Sequence, residues 1–249
     1  MTEESTRPAS RNTLRGHEVT EQIKNFILRN GLTPGDPLPT ETELCSELGA
    51  SRSSVREAIK RLSALDIVEV RHGHGTYVGR LSLNSLVESL TFRGRLSSED
   101  DLATLYELVT VRKVLEQGLG RDIVNGYDEE QHQSLGELVT GMEEAAERGE
   151  SFVEEDRAFH LMLLAPLNNQ LVTQLTGAFW DVQAVVAPLL LSTEEDARET
   201  AAAHRAIIDA AHRGDQAGFV AAVADHYAPI LHLLEKPAMT GVDQDTPDA

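Results

Sequence analysis

The chain of 249 residues offers a single cysteine, Cys45, and one thiol excludes an intramolecular disulfide. Long apolar runs are also missing. The stretches around Leu161 to Leu164 and Val185 to Leu191 are short and interrupted by Pro166 and Pro188, so no membrane span is expected. The first fifteen residues carry charges and no apolar core, which excludes a secretory signal there. Together these absences point to a cytoplasmic protein with no membrane partner. Aromatic residues are too few for a cofactor box: Phe179 and Trp180 form one pair, expected in a core or an interface. Beyond Leu81 the sequence shows no strand signal of any length.

Positive charge is scarce as well, since the chain has a formal net charge of -19. Taken whole, that figure argues against nucleic acid, but the charge is unevenly placed. Residues 1 to 80 hold eleven Lys/Arg and eleven Asp/Glu, whereas residues 81 to 249 hold eleven and thirty. Within Ala50 to Arg80, six basic residues face three acidic ones. A local cationic surface on an acidic protein is therefore possible, and the acidic remainder would help fix which face approaches DNA.

That cationic surface has a helical pattern. In Ser51 to Ala64, SRSSVREAIKRLSA, residues Val55, Ile59 and Leu62 share one face while Arg52, Arg56, Lys60 and Arg61 project from the rest. Ser51, Ser53 and Ser54 supply hydroxyls that cap a helix or reach a phosphate. Upstream, Val19, Ile23, Phe26 and Ile27 predict an amphipathic helix over His17 to Asn30, stopped by Gly31. Pro34-Gly35-Asp36 reads as a turn, and Thr40 with Glu43 as a capping box opening a short helix to Gly49. Two helices joined so tightly form a helix-turn-helix candidate. Downstream, Ile67 to Val70 and Thr76 to Val78 flank Arg71-His72-Gly73-His74-Gly75, a hairpin whose tip could reach phosphates or a minor groove.

Residues 17 to 80 thus resemble the GntR-type winged helix-turn-helix regulators, through PGDPLPTETELCSELGASRSSVREAIKRL and the HGHGTYV wing. The resemblance implies that Arg52, Ser53, Ser54 and Arg56 contact operator DNA in the major groove, with His72 and Gly73 near the minor groove. Thr42 stands where such regulators usually place an arginine that also reads the groove. A bidentate guanidinium contact is typically worth about 1 to 3 kcal/mol of discrimination, so the operator should differ from those of relatives.

From Leu81 on, helical periodicity recurs over Asn84 to Phe92, Ser97 to Val124, Asp128 to Arg148, Ser151 to Leu164, Asn168 to Leu190, Thr193 to His212 and Asp215 to Leu234. Gly118 and Gly120 weaken the second of these by about 1 kcal/mol each relative to alanine. The expected fold class is mainly α: a winged helix-turn-helix at 15 to 80 and an all-α bundle at 81 to 236, between disordered tails at 1 to 14 and 237 to 249. Inside the bundle, Asp156 and His160 share a helix face, and His204 and His226 sit beside apolar positions on two later helices. A carboxylate and three imidazoles suit zinc, nickel or manganese, though helical histidines are also commonly hydrogen-bonded or solvated.

Residues 85 to 235 resemble the FCD ligand-binding domain of the FadR-like branch. The motifs are VRKVLEQ around Arg112 and Glu116, EEDRAFH at 154 to 160, HRAIIDAAHRGD from 204, and the late His226. The resemblance implies a divalent metal, zinc before nickel or manganese, on Asp156, His160, His204 and His226. It also implies a small carboxylate effector paired with Arg112; Glu116 itself reads as the arginine's orienting partner and not as a ligand. Arg157 and Arg205 read as surface charges, and Asn168 and Asn169 as helix-start residues. The expected protein is a homodimeric regulator of transcription, a repressor before an activator, and not an enzyme. Two rivals remain: a metal-free carboxylate or acyl sensor of the same fold, and a metal-dependent hydrolase.

Overall fold

In the computed structural model, which describes residues 11–96, 103–186 and 194–235, the first periodic stretch folds as α1 (Arg11–Arg29). It begins earlier than its apolar pattern, so that residues 11 to 14, expected in a disordered tail, are helical. The expectations for residues 1 to 10 and 237 to 249 lie outside the described residues. So do the expected helical residues 97 to 102, 187 to 190 and 193. The chain divides into two units, Met1–Ser85 and Leu86–Ala249, each with its own core.

In the first unit, α2 (Glu41–Leu48) opens on the expected capping box. Thr40 Oγ1 accepts from Glu43 N, and the Thr40 N–H donates to Glu43 Oε2 at 2.8 Å. Gly49 ends the helix in the left-handed region at φ 61, which glycine adopts without the strain of a Cβ. Ser51 then caps α3 (Arg52–Ala64), whose Val55, Ala58, Ile59 and Leu62 are buried against Val19, Ile23 and Ile27 of α1. Two strands follow, β1 (Val68–Arg71) and β2 (Gly75–Val78), paired antiparallel from Val68↔Val78 to Arg71↔Gly75.

The segment after Gly35 is more than the turn its sequence suggests. It runs along the free edge of β2: Leu38 N donates to Thr76 O at 2.8 Å, Val78 N to Asp36 O at 2.8 Å, and Gly35 N to Val78 O at 2.9 Å. Strand β2 is thereby paired on both sides, with β1 on one edge and this segment covering the other. At its base Gly79 has no room for a side chain, because a Cβ there would run into the Asp66 carbonyl. Gly79→Ala is expected to lower stability by about 1 to 3 kcal/mol, the usual range for overpacking. Urea unfolding followed at the wing amides by hydrogen exchange checks this; unchanged protection would contradict so close an approach.

Helices are the only regular elements among the described residues of the second unit. Its elements are α4 (Asn84–Leu96), α5 (Ala103–Gly126), α6 (Glu129–Glu147), α7 (Val153–Leu163), a 3-10 turn (Ala165–Leu167), α8 (Gln170–Val186), α9 (Glu194–His212) and α10 (Gln216–Glu235). Helix α5 packs on α8 and α10, α9 on α6 and α10, and α7 on α6 and α8. Gly120, expected to weaken α5, is where the helix meets α10: a Cβ would lie 2.9 Å from the Phe219 ring. Its cost in helix propensity is offset by close packing. Helix α10 is long and apolar enough by composition to cross a membrane, against the expectation of no apolar stretch of that length. It buries Phe219, Val223, Tyr227 and Leu234 in this core, and 22% of that apolar stretch is buried.

Candidate metal centre and nucleic-acid interface

The exposed side of the helix-turn-helix carries the residues expected at DNA. Arg52 and Ser53 are exposed at the start of α3 and Ser54 is half-buried. Ser51 Oγ accepts from Ser54 N at 3.2 Å and lies 2.9 Å from both Ser53 Oγ and Ser54 Oγ, so the three hydroxyls hold one another at the helix N-terminus. Arg56, one turn on, is exposed but not idle: its Nε donates to Glu41 Oε2 of α2 at 2.7 Å. Such surface pairs contribute about 0 to 1 kcal/mol and are screened by salt, so a phosphate or base edge can displace the glutamate. Thr42 is exposed on α2, its carbonyl accepting from Ser46 Oγ at 3.3 Å.

At the wing tip His72 and Gly73 are exposed, and Gly73 (φ 77) and Gly75 (φ 108) supply the turn. Arg71 does not project from this tip as its sequence position suggested. Its guanidinium turns back onto Glu69 at 3.0 and 3.1 Å and covers the Tyr77 ring at 4.2 Å. Pairing with an acid two positions earlier, on the same face of β1, decides its direction.

In the second unit, α7, α9 and α10 bring Asp156, His160, His204 and His226 together, with one potential ligand atom from each lying within 4.8 Å of the others. Among the described residues no other group of three or more such side chains converges this way. His204 Nδ1 donates to the Thr200 carbonyl at 2.8 Å, which leaves Nε2 turned to Asp156 Oδ1 at 3.0 Å. His160 is arranged in parallel: Nδ1 donates to Glu116 Oε1 at 2.8 Å, while Nε2 lies 3.2 Å from the same Asp156 oxygen without a well-aligned hydrogen bond. His226 Nδ1 is buried with no partner. Each neutral ring with its Nδ1–H committed presents a lone pair to a carboxylate, and only a proton or a cation between them relieves that.

Charge in this cluster is strongly perturbed. Burial alone would raise the Asp156 carboxyl, but the His204 and His160 imidazoles outweigh it and hold it well below the usual range. Burial disfavours a charged His160, yet Glu116 and Asp156 outweigh burial and raise its pKa. His226 goes the other way: burial first, then the neighbouring His204 and His160 charges, press it well below the usual imidazole value, so it is neutral at pH 7. A neutral imidazole is the form that ligates a metal.

Helix α5 supplies the next layer. Glu116 Oε1 accepts from His160 and also from the Tyr227 hydroxyl at 2.9 Å, so its hydrogen bonds fix a histidine rather than orient Arg112 as expected. A carboxylate holding the far nitrogen of a ligating histidine is the usual outer partner at metal sites. Arg112, only 4% exposed, instead donates through Nη1 to Gln183 Oε1 of α8 and lies over the Trp180 ring at 4.1 Å. Its Nε has no partner. Trp180 is therefore not simply a core aromatic. With Arg112, Gln183, Asp156, His226 and Tyr227 it lines a cavity of ≈ 90 Å³. A wider cleft of ≈ 410 Å³ shares Asp156, Thr200 and Ile230 with it. Nothing local in the sequence marked Trp180 or Gln183, whose partner lies 71 positions earlier for Gln183.

Asn168, Asn169, Arg157 and Arg205 have simple local places. Asn169 Oδ1 accepts from Val172 N at 3.2 Å as a helix-start residue, and Asn168 sits at φ 47 before it. Arg157 pairs with Asp181 at 3.2 Å, and Arg205 with Glu143 at 2.7 Å.

A winged helix-turn-helix with exposed arginines, joined in one chain to a helical bundle with a buried cluster of ligating groups, defines the class of DNA-binding transcriptional regulators. Residues 15–78 match the bacterial regulatory proteins of the gntR family, and residues 107–229 match the FCD domain. The HTH-type transcriptional regulator LutR of Bacillus subtilis is 31% identical over 174 residues, spanning 70% of this chain and 74% of LutR. The galactonate operon transcriptional repressor of Escherichia coli is 26% identical over 194 residues, spanning 76% and 83%. In structure, the GntR protein of Streptococcus agalactiae superimposes with a TM-score of 0.61 at 23% identity, covering 88% of this chain and 99% of that one, a likeness of fold. The chain belongs to the gntR family and carries an FCD domain. It is a regulator and not an enzyme, so the hydrolase considered from its histidines falls away. The winged domain implies operator DNA as a partner and the FCD domain a small-molecule effector.

Proposed function

We propose that this regulator is a repressor that acts as a homodimer in the cytoplasm and is released from its operator by a small carboxylate bound beside a divalent metal. Asp156, His160, His204 and His226 hold the ion, and three nitrogens with one oxygen favour zinc over harder cations. The observation that carries this is the pair of imidazoles, on His160 and His204, whose Nε2 atoms converge on one oxygen of Asp156 while their Nδ1 atoms are occupied. When bound, the ion supplies a Lewis-acidic anchor for an anion. Arg112 supplies the other, a guanidinium fork that matches a carboxylate and is already held by Gln183 and Trp180. Arg52, Ser53, Ser54, Arg56 and Thr42 face the major groove, and His72 and Gly73 the minor groove. Two copies place two recognition helices one DNA turn apart, which gives specificity that one short helix lacks.

For the effector to act, it must bind one arrangement of the protein more tightly than the other. Small organic acids screened by thermal shift test the site. An acid at a hundred times its Kd stabilises the folded chain by about 2.7 kcal/mol, roughly 5 °C or more for a bundle of this size. Arg112→Ala is expected to abolish that shift while metal content stays unchanged. A shift that survives in Arg112→Ala would remove the arginine from the effector site.

A further inference from the structure

By composition the wing tip should be loose. Residues 72 to 75 include two glycines at positive φ, Gly73 and Gly75, and glycine loses more conformational freedom on ordering than any other residue. A turn closes the tip, His74 N donating to the Arg71 carbonyl at 2.9 Å. One side chain reaches it as well. The Tyr77 hydroxyl donates to the His74 carbonyl at 3.1 Å, and among the described residues no other side chain hydrogen-bonds to residues 72 to 75. Tyr77 is itself fixed on three sides. Across the hairpin it pairs with Glu69, and along the other edge of β2 with Pro37. Over its ring lies the Arg71 guanidinium at 4.2 Å, held by both oxygens of Glu69. The guanidinium can reach the ring because Arg71 faces Gly75 across the ladder, where no side chain stands in the way.

We propose that Tyr77 is a positioning residue for operator binding: its hydroxyl sets the His74 carbonyl, and with it the turn, so that His72 and Gly73 meet the minor groove already in their bound shape. This rests on the reading of the wing tip as a minor-groove contact and adds what aims it. A tip ordered before DNA arrives removes an ordering cost that binding otherwise carries. Arg71 and Glu69 act one step further back, as the clamp on the ring. That role accounts for an arginine beside the wing tip that turns away from it.

Anisotropy titrations of the full-length protein test this, on an operator fragment that the wild type selects from random-sequence DNA. Tyr77→Phe keeps the ring under Arg71 and removes only the donor. Its affinity is expected to fall about three- to tenfold, the range of one hydrogen bond, with the melting temperature unchanged. A double-mutant cycle separates aim from stability. In a His72→Ala background Tyr77→Phe is expected to lose most of its effect, because the group it aims is gone, whereas on top of Arg52→Ala the full effect should remain. An equal loss in all three backgrounds, or no loss in any, would overturn the proposal, and the minor-groove contact would still stand if His72→Ala itself weakens binding. A His72→Ala protein that binds as tightly as wild type would sink the minor-groove reading and this proposal with it. Should Tyr77→Phe melt below wild type, nitrogen relaxation of the unbound wild-type wing decides. Amide order parameters of about 0.85 at Gly73 and His74 are expected there, and values below about 0.6 would overturn a tip set in advance.

Discussion

Protein carrying His204→Ala or His226→Ala is expected to emerge from purification without the stoichiometric divalent ion that the proposed site predicts for the wild type, as read by elemental mass spectrometry. His204 is buried with its Nδ1 fixed to Thr200, so no other side chain can take its place. His226 is held neutral by burial and by its charged neighbours, and so offers a lone pair at pH 7 without first losing a proton. Outer partners of metal ligands typically change affinity by 10- to 100-fold, and loss of a ligand itself should exceed that, on the order of a hundredfold or more. Zinc titration against a competing chelator gives the figure. The His226 variant is the cleaner of the two, because the residue keeps some solvent exposure although its Nδ1 is buried, whereas His204 is wholly buried, so losing His226 disturbs the core less. Unaltered metal content in both variants would sink the four-residue site and favour the metal-free sensor.

The second large effect is expected at the other end of the chain. Arg52→Ala and Arg56→Ala should each lower the affinity for DNA from upstream of its own gene by about 1 to 3 kcal/mol, and together by a hundredfold or more. If one of the two meets phosphate instead of a base, its loss should weaken binding to all sequences alike and reduce the slope of log K against log salt by about one. The Glu41 pair sharpens this for Arg56. In free protein the guanidinium is tethered at 2.7 Å, so DNA must exchange one carboxylate for its own acceptor. Because both groups are well exposed, that exchange involves little desolvation and should not mask the loss. Binding that is indifferent to salt and to both substitutions would contradict the interface drawn on α3.

Much of this was legible in the residues themselves. The stripe of Val55, Ile59 and Leu62 is the buried face of α3, and Thr40 with Glu43 is a capping box in both of its bonds. These are local rules, in which spacing along the chain is spacing in space. Asp156 and His160, four apart, obeyed the same logic on α7. What the sequence hid was contact between distant elements. Arg56 with Glu41, Gln183 with Arg112, and the 35 to 38 segment along β2 join positions that no periodicity connects. Glu116 misled for a related reason. It lies one turn from Arg112, so an arginine partner was the natural local choice, whereas the core brought His160 and Tyr227 to it instead.

Arg112 and Glu116 stand on successive turns of α5, so the anion's guanidinium and the carboxylate behind His160 ride on one rigid rod. If the ion and the acid share that rod as proposed, each must change the other's affinity by the same factor. The cell's free zinc would then set the threshold at which the acid is sensed, and a metal-starved cell would hold its operator longer at the same acid concentration.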